Sequence, residues 1–342
     1  MNRRLHSRSV RGQQGFTLVE LMVSLVLGLL LILGVISVYL TNQQASRTNE
    51  GLARLQESGR IAFELMSREL RQTGGNACGA RLLSNMLNNP GASWFTDFDA
   101  GSLRGFDGDQ DAVGIMATGN GVGQRVADTD AIVIMSPSAT DNAIIVSHDP
   151  ATTTFTLNTV NHGVSPNNLV LVCDPQSAAI LRITNSTPGT TATIEHGVGA
   201  GADENCATGV GFPRLCTGSG TPKTFTAGGV VATLNPGFWY IGNNPRGGRS
   251  LYRADANGAS EEITDGVVDM QLRFLTRDVG AGTLETDWTD PDLILDWSDG
   301  APDLPVAMRI QLTLETLQSV GTDQQPLRRQ QVHAVSLRNR SL

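Results

Sequence analysis

The chain has 342 residues, of which 40% are hydrophobic and 17% charged, a balance that excludes a mostly disordered protein. Its formal net charge is −8 and Lys223 is its only lysine, so it lacks the basic excess of a nucleic-acid groove. With 38 glycines and only four cysteines, it reads as a turn-rich, mostly β globular chain and not as a disulfide-dense miniature fold or a polytopic membrane protein.

The first forty residues depart from that average. Residues 1–15 carry Arg3, Arg4, Arg8 and Arg11 and no acid. Residues 16–40 then form a run of 25 whose only charge is Glu20. At about 1.5 Å rise per residue, such a helix crosses a hydrocarbon core of about 30 Å with some tilt. The arginines lie before it, so the positive-inside rule leaves the N-terminus in the cytoplasm and carries the rest across. A secretory signal peptide would have a shorter apolar stretch and a small-residue cleavage site, and Val38-Tyr39-Leu40 offers none. A plain signal anchor fits the length but gives no reason for Glu20, because a carboxylate in the bilayer costs roughly 2.5–3.5 kcal/mol.

Gly15-Phe16-Thr17-Leu18-Val19-Glu20 resembles the cleavage site of type IV prepilins and type II secretion pseudopilins. The resemblance implies that prepilin peptidase, a membrane aspartyl protease, cuts after Gly15 and that the new terminal residue, Phe16, is N-methylated. It also implies that Glu20 pairs with the terminal amine of a neighbouring subunit. The physics agrees, since a buried carboxylate is tolerated when a cation partners it. Cleavage would remove four arginines, taking the formal charge from −8 to −12 and leaving 327 residues. Major pilins are much smaller, so the bulk favours a minor, low-copy subunit.

Beyond the apolar run, Leu52, Leu55, Gly59, Ala62, Met66 and Leu70 recur at helical spacing as one stripe. Arg54, Glu57, Arg60, Glu64, Arg68 and Arg71 lie mostly off it, and Gly74-Gly75 ends the pattern. One helix is therefore expected over about 16–72, loosened where the polar stretch 42–51 interrupts it. Its second half would pack its stripe on a β-rich head. The expected division is a leader at 1–15, a membrane or filament-core helix at 16–40, an amphipathic stalk at 41–73 and a periplasmic head at 74–342.

The head reads as short strands between turns. Strands are predicted at 130–135, 143–147, 153–157, 169–173 and 180–184, the last two flanking the Asp174-Pro175 turn. The glycine-rich stretch 197–229 is predicted to be largely loop. A hairpin follows at 238–241 and 250–253, and Asp255-Ala256-Asn257-Gly258 turns the chain into 261–263. Strands at 267–275, 306–317 and 332–337 then complete the sheet. The fold class is α+β: a long N-terminal helix packed on a β-rich head.

Three segments carry a second resemblance. Glu262-Ile263-Thr264-Asp265-Gly266-Val267-Val268-Asp269-Met270-Gln271-Leu272, Val306-Ala307-Met308-Arg309-Ile310-Gln311-Leu312 and Ala334-Val335-Ser336-Leu337-Arg338-Asn339 resemble segments of PilW-family minor pilins, and residues 54–75 resemble that family's stalk. The middle, roughly 85–235, adds little. The resemblance implies an inner-membrane prepilin that enters a type IV pilus near its tip. Its partners would be the major pilin, minor pilins of the PilV, PilX, FimU and PilE kind, and a PilY-type tip adhesin. Together they would prime assembly for twitching motility, adhesion or DNA uptake. The rivals are a J-like minor pseudopilin of type II secretion and, from another class, a membrane-anchored periplasmic hydrolase.

Cys78, Cys173, Cys206 and Cys216 all follow the apolar helix, in a compartment where disulfides persist. Of the three possible pairings, Cys206–Cys216 closes a short loop and Cys78–Cys173 ties the stalk's end to a strand, and these are favoured. Zinc is disfavoured because no CxxC pair is present. His6, His148, His162, His196 and His333 have neither HExxH spacing nor a place in a nucleophile elbow and are expected at the surface, so neither an enzyme nor a cofactor is expected. Asp107, Asp109 and Asp111 resemble the opening of a calcium loop, but Ala112 stands where the loop wants glycine and Thr118 where it wants glutamate. A solvated turn is the expectation there. Trp288 and Trp297 are expected to pack and not to bind sugar. Once the leader is removed, Arg328, Arg329, Arg338 and Arg340 form the only basic cluster in a chain of net charge −12, so no direct nucleic-acid contact is expected.

Overall fold

The computed structural model describes residues 15, 17–74, 78–79, 82–138, 143–321 and 325–340. One helix, Leu18–Gln72, runs unbroken for 55 residues into a body made of several sheets. It is not loosened across 42–51. That polar segment is where the head reaches the helix. Gln44 Nε2 and Thr48 Oγ1 both donate to the Val320 carbonyl, at 2.8 and 2.9 Å, and Gly51 leaves room for Thr316 and Val320 to approach. Polarity that reads in the sequence as a weak point serves here as a docking edge.

The expected stripe is the buried face: Leu55, Gly59, Ala62, Met66 and Leu70 are covered, with Ser67 beside them. They pack against a three-stranded antiparallel sheet of Val267–Asp278, Asp303–Glu315 and Arg328–Ser336. Inward residues alternate along its strands, with Met270, Leu272 and Phe274 facing the helix side beside Met308, Ile310, Leu312 and Leu314. At Gly59 the helix and the last strand are so close that any side chain would strike Gln331.

A five-stranded sheet closes the same core from the other side. Its order is Ser260–Asp265, Arg249–Ala254, Gly237–Asn243, Ala131–Ile134 and Leu103–Phe106, and it contributes Ile132, Ile134, Trp239, Ile241 and Leu251. Glu69 locks the helix to it: Trp239 Nε1 donates to one carboxylate oxygen and Arg253 Nε to the other, each at 2.8 Å. The expected hairpin 238–253 is the centre of this sheet.

Farther out lies an eight-stranded sheet whose core contains no helix residue. Its order is Leu82–Asn85, Ser177–Arg182, Leu169–Cys173, Val230–Thr233, Ala143–Asp149, Thr154–Leu157, Thr193–Glu195 and Asn185–Ser186. The Asp174-Pro175 turn forms as expected, and the Asp174 carboxylate accepts from the Gln176 and Ser177 amides at 3.0 Å each. The stretch 197–229 is mostly irregular, apart from the paired dipeptides Gly209–Val210 and Gly220–Thr221. The last predicted strand closes only the three-stranded sheet, at its edge.

Candidate functional site

The site with chemical consequence is the start of the helix. Gly15 precedes it, exposed, and Phe16 lies outside the described residues. Thr17 has extended backbone and caps the helix, its Oγ1 accepting from the Glu20 amide at 3.3 Å. Glu20 is thereby fixed in the first turn, exposed, where the helix dipole favours a carboxylate. From Leu18 to Leu40 the side chains stand free of the body; the most apolar 18-residue window has a mean hydropathy of 2.9 and is 0% buried. Leaving so many Leu, Ile and Val side chains in water would forfeit tens of kcal/mol, at roughly 1.5–3 kcal/mol for each. This half of the helix is therefore built for a lipid or protein environment outside the chain.

The family model for the prokaryotic N-terminal methylation motif matches residues 10–36. That span holds Gly15, Phe16 and Glu20 and the first part of the bare helix, and it supports a type IV pilin or pseudopilin. It also supports processing by prepilin peptidase, a membrane-anchored state and assembly with other pilins. No curated protein and no solved structure matches the chain. A pilin-type terminus on a β-rich body points to a structural protein.

The remaining candidate residues lie elsewhere. Cys78 is bonded to Cys173 with Cα atoms 5.8 Å apart, and Cys206 to Cys216 at 5.1 Å. The first bridge ties the chain just past the helix to a strand of the outer sheet. Asp107, Asp109 and Asp111 do not assemble a cation site, and no metal-holding cluster of three or more such ligands occurs among the described residues. A buried guanidinium holds their turn instead. Arg125 donates to the carbonyls of Asp107 (2.8 Å), Gln110 (2.7 Å) and Thr129 (2.6 Å), so the turn's inward oxygens already face a cation. Burial holds Arg125 below the usual arginine range, with Asp130, Asp111 and Asp107 pulling the other way.

Three histidines are buried, against expectation. His162 donates from Nε2 to the Thr191 carbonyl at 3.1 Å, while its Nδ1 accepts from the Val164 amide. His148 Nδ1 accepts from the Phe225 amide at 3.2 Å, which places its proton on Nε2. That proton points at His196 Nε2, 3.0 Å away, and leaves the His196 proton on Nδ1 with no partner. Burial lowers both rings, His148 to about 4 and His196 to about 3. Phe155 and Phe225 wrap the pair. Nothing local in the sequence marks these residues as buried.

Sequence reasoning also passed over Asp130 as a charged group. Its Oδ2 accepts from the Leu272 amide at 2.6 Å and its own amide donates to the Met270 carbonyl, which joins the five-stranded to the three-stranded sheet. Burial raises its carboxyl to about 7. Trp297 packs edge-on to Phe274 at 4.9 Å, and Trp288 lies under the Arg309 guanidinium at 4.3 Å.

Proposed function

We propose that the chain is a minor pilin of the PilW type, cut after Gly15, methylated at Phe16 and assembled near the tip of a type IV pilus. Residues 16–40 hold it in the inner membrane with a cytoplasmic N-terminus and then enter the filament core. Residues 41–73 form the stalk, and the head from 74 onward meets other minor pilins, the major pilin and a PilY-type tip adhesin. The complex primes pilus assembly for twitching motility, adhesion or DNA uptake. A single observation supports this most: an apolar helix with no cover from its own body begins at a methylation motif and carries one carboxylate in its first turn.

The mechanism is pairing in place of catalysis. In the bilayer Glu20 has no water to solvate it, and the ammonium exposed by the Gly15 cut lies at the same depth on a neighbour. A subunit that brings its amine to Glu20 is held in register; one that does not leaves a bare charge. Breaking such a pair by removing one partner costs about 3–5 kcal/mol. Glu20→Gln should therefore still be processed and reach the membrane but vanish from sheared surface pili. Incorporation at the parental level would contradict the reading. The methylation motif fits a J-like pseudopilin of type II secretion equally, and recovery in sheared pili separates the two.

A further inference from the structure

The two edges of the three-stranded sheet are finished differently. Along Val267–Asp278 each outward residue from 268 to 278 has at least one hydrogen-bond partner. Arg249 donates to the Val268 carbonyl, Asp130 binds at Met270 and Leu272, Phe274 exchanges both bonds with Thr289, Glu285 donates to Thr276, and Asp278 bonds Gly282 and Thr283. Along Arg328–Ser336 no such bond occurs among the described residues. The Leu337 amide donates to the Val306 carbonyl and the Thr316 amide to Leu327, which fixes the alternation of the ladder. Residues 329, 331, 333 and 335 turn their backbone groups toward Asp303–Glu315, and Arg328, Gln330, Val332, Ala334 and Ser336 turn theirs outward. None of those five has a backbone partner on that side among the described residues.

An open edge of this length is a template for another strand. Its chemistry limits which strand. Residues 328–340 hold four arginines and no acid in a chain of net charge −8. Arg328 is paired with Glu315, whereas Arg329 lies exposed on the edge strand with no ion pair among the described residues. Val332 is exposed and offers one apolar contact in the middle of the edge. We propose that Arg328–Ser336 is a docking edge that takes an extended, acidic strand from another protein chain, adding it as the next strand of the sheet beside the stalk. Main-chain bonds to the five outward residues supply the affinity, and Arg329 selects for acid. Neither the Gly15 cut nor Glu20 enters this inference, so it stands or falls apart from the pilin reading.

The test is residue-level hydrogen exchange on the full chain, as a detergent-extracted monomer and in membranes of the producing cells. The amides of Arg328, Gln330, Val332, Ala334 and Ser336 should exchange freely in the monomer and slow by at least about tenfold in the assembled state, with 329–335 odd positions protected in both. Ala334→Pro removes one outward donor without touching the ladder to Asp303–Glu315, and it should abolish the added protection. Arg329→Glu, which leaves the backbone unchanged, should weaken it. Cross-linking from position 332 should map to an acidic, extended segment. Free exchange in both states overturns the proposal. Protection already present in the monomer overturns it too, because the chain would then cover its own edge; so does a cross-link to a basic or helical segment.

Discussion

Around the stalk, Met66 and Leu70 are clasped between two sheets and Glu69 holds both Trp239 and Arg253. In the eight-stranded sheet no helix residue reaches the core, and the cross-links are Cys78–Cys173, Cys206–Cys216 and a bonded pair of neutral histidines. The inner part thus draws its order from a long helix that buries a continuous stripe. The outer part, built of short strands, is stitched by covalent and polar links. A body that hangs from a filament can keep its stalk junction constant while its far face is held by devices of its own.

The largest separation of the two regions should follow loss of the first disulfide. Closing a loop of sequence separation 95 is worth about 4–5 kcal/mol in the chain-entropy model. Cys78→Ser with Cys173→Ser should therefore make the outer sheet protease-sensitive while Trp239 emission, which reports the inner core, stays native. Joint loss of both signals would mean that the two parts fold as one unit.

A smaller effect, of a few kcal/mol at most, should follow pH in opposite directions in the two regions. His148 and His196 are depressed in the fold, so their stabilisation is complete above about pH 6.5 and fades as pH falls through about 4 and 3. Protonation would also set two N–H donors face to face across their 3.0 Å contact. Asp130 is raised, so its contribution is complete below 3.8 and is lost as pH rises through about 7. Urea titrations between pH 3 and 9, read by exchange in each region, should show the outer sheet weakening in acid and the junction at Leu272 loosening in base. Asp130→Asn should remove only the second trend, and the double change His148→Phe with His196→Phe only the first.

The same division governs what can be read from sequence. Residues 270–276 and 306–314 alternate, and the stripe from Leu55 to Leu70 has helical period, so the inner part is legible. Gly15, Phe16 and Glu20 are legible because their order along the chain is itself the signal. Leu82–Asn85, Leu103–Phe106 and Val230–Thr233 are four residues each, too short to show a period, and the first and third pair with strands far away in sequence. Arg125, Asp130 and the histidine pair resemble surface residues in sequence because the groups that satisfy them arrive only with the tertiary fold.

Maturation at Gly15 would free the new amine that meets Glu20. Intact-mass and N-terminal peptide mass spectrometry of the protein purified from producing cells tests it directly. The expected product is a 327-residue species beginning at N-methylated Phe16. A full-length chain, or one cut after the apolar helix, would contradict it.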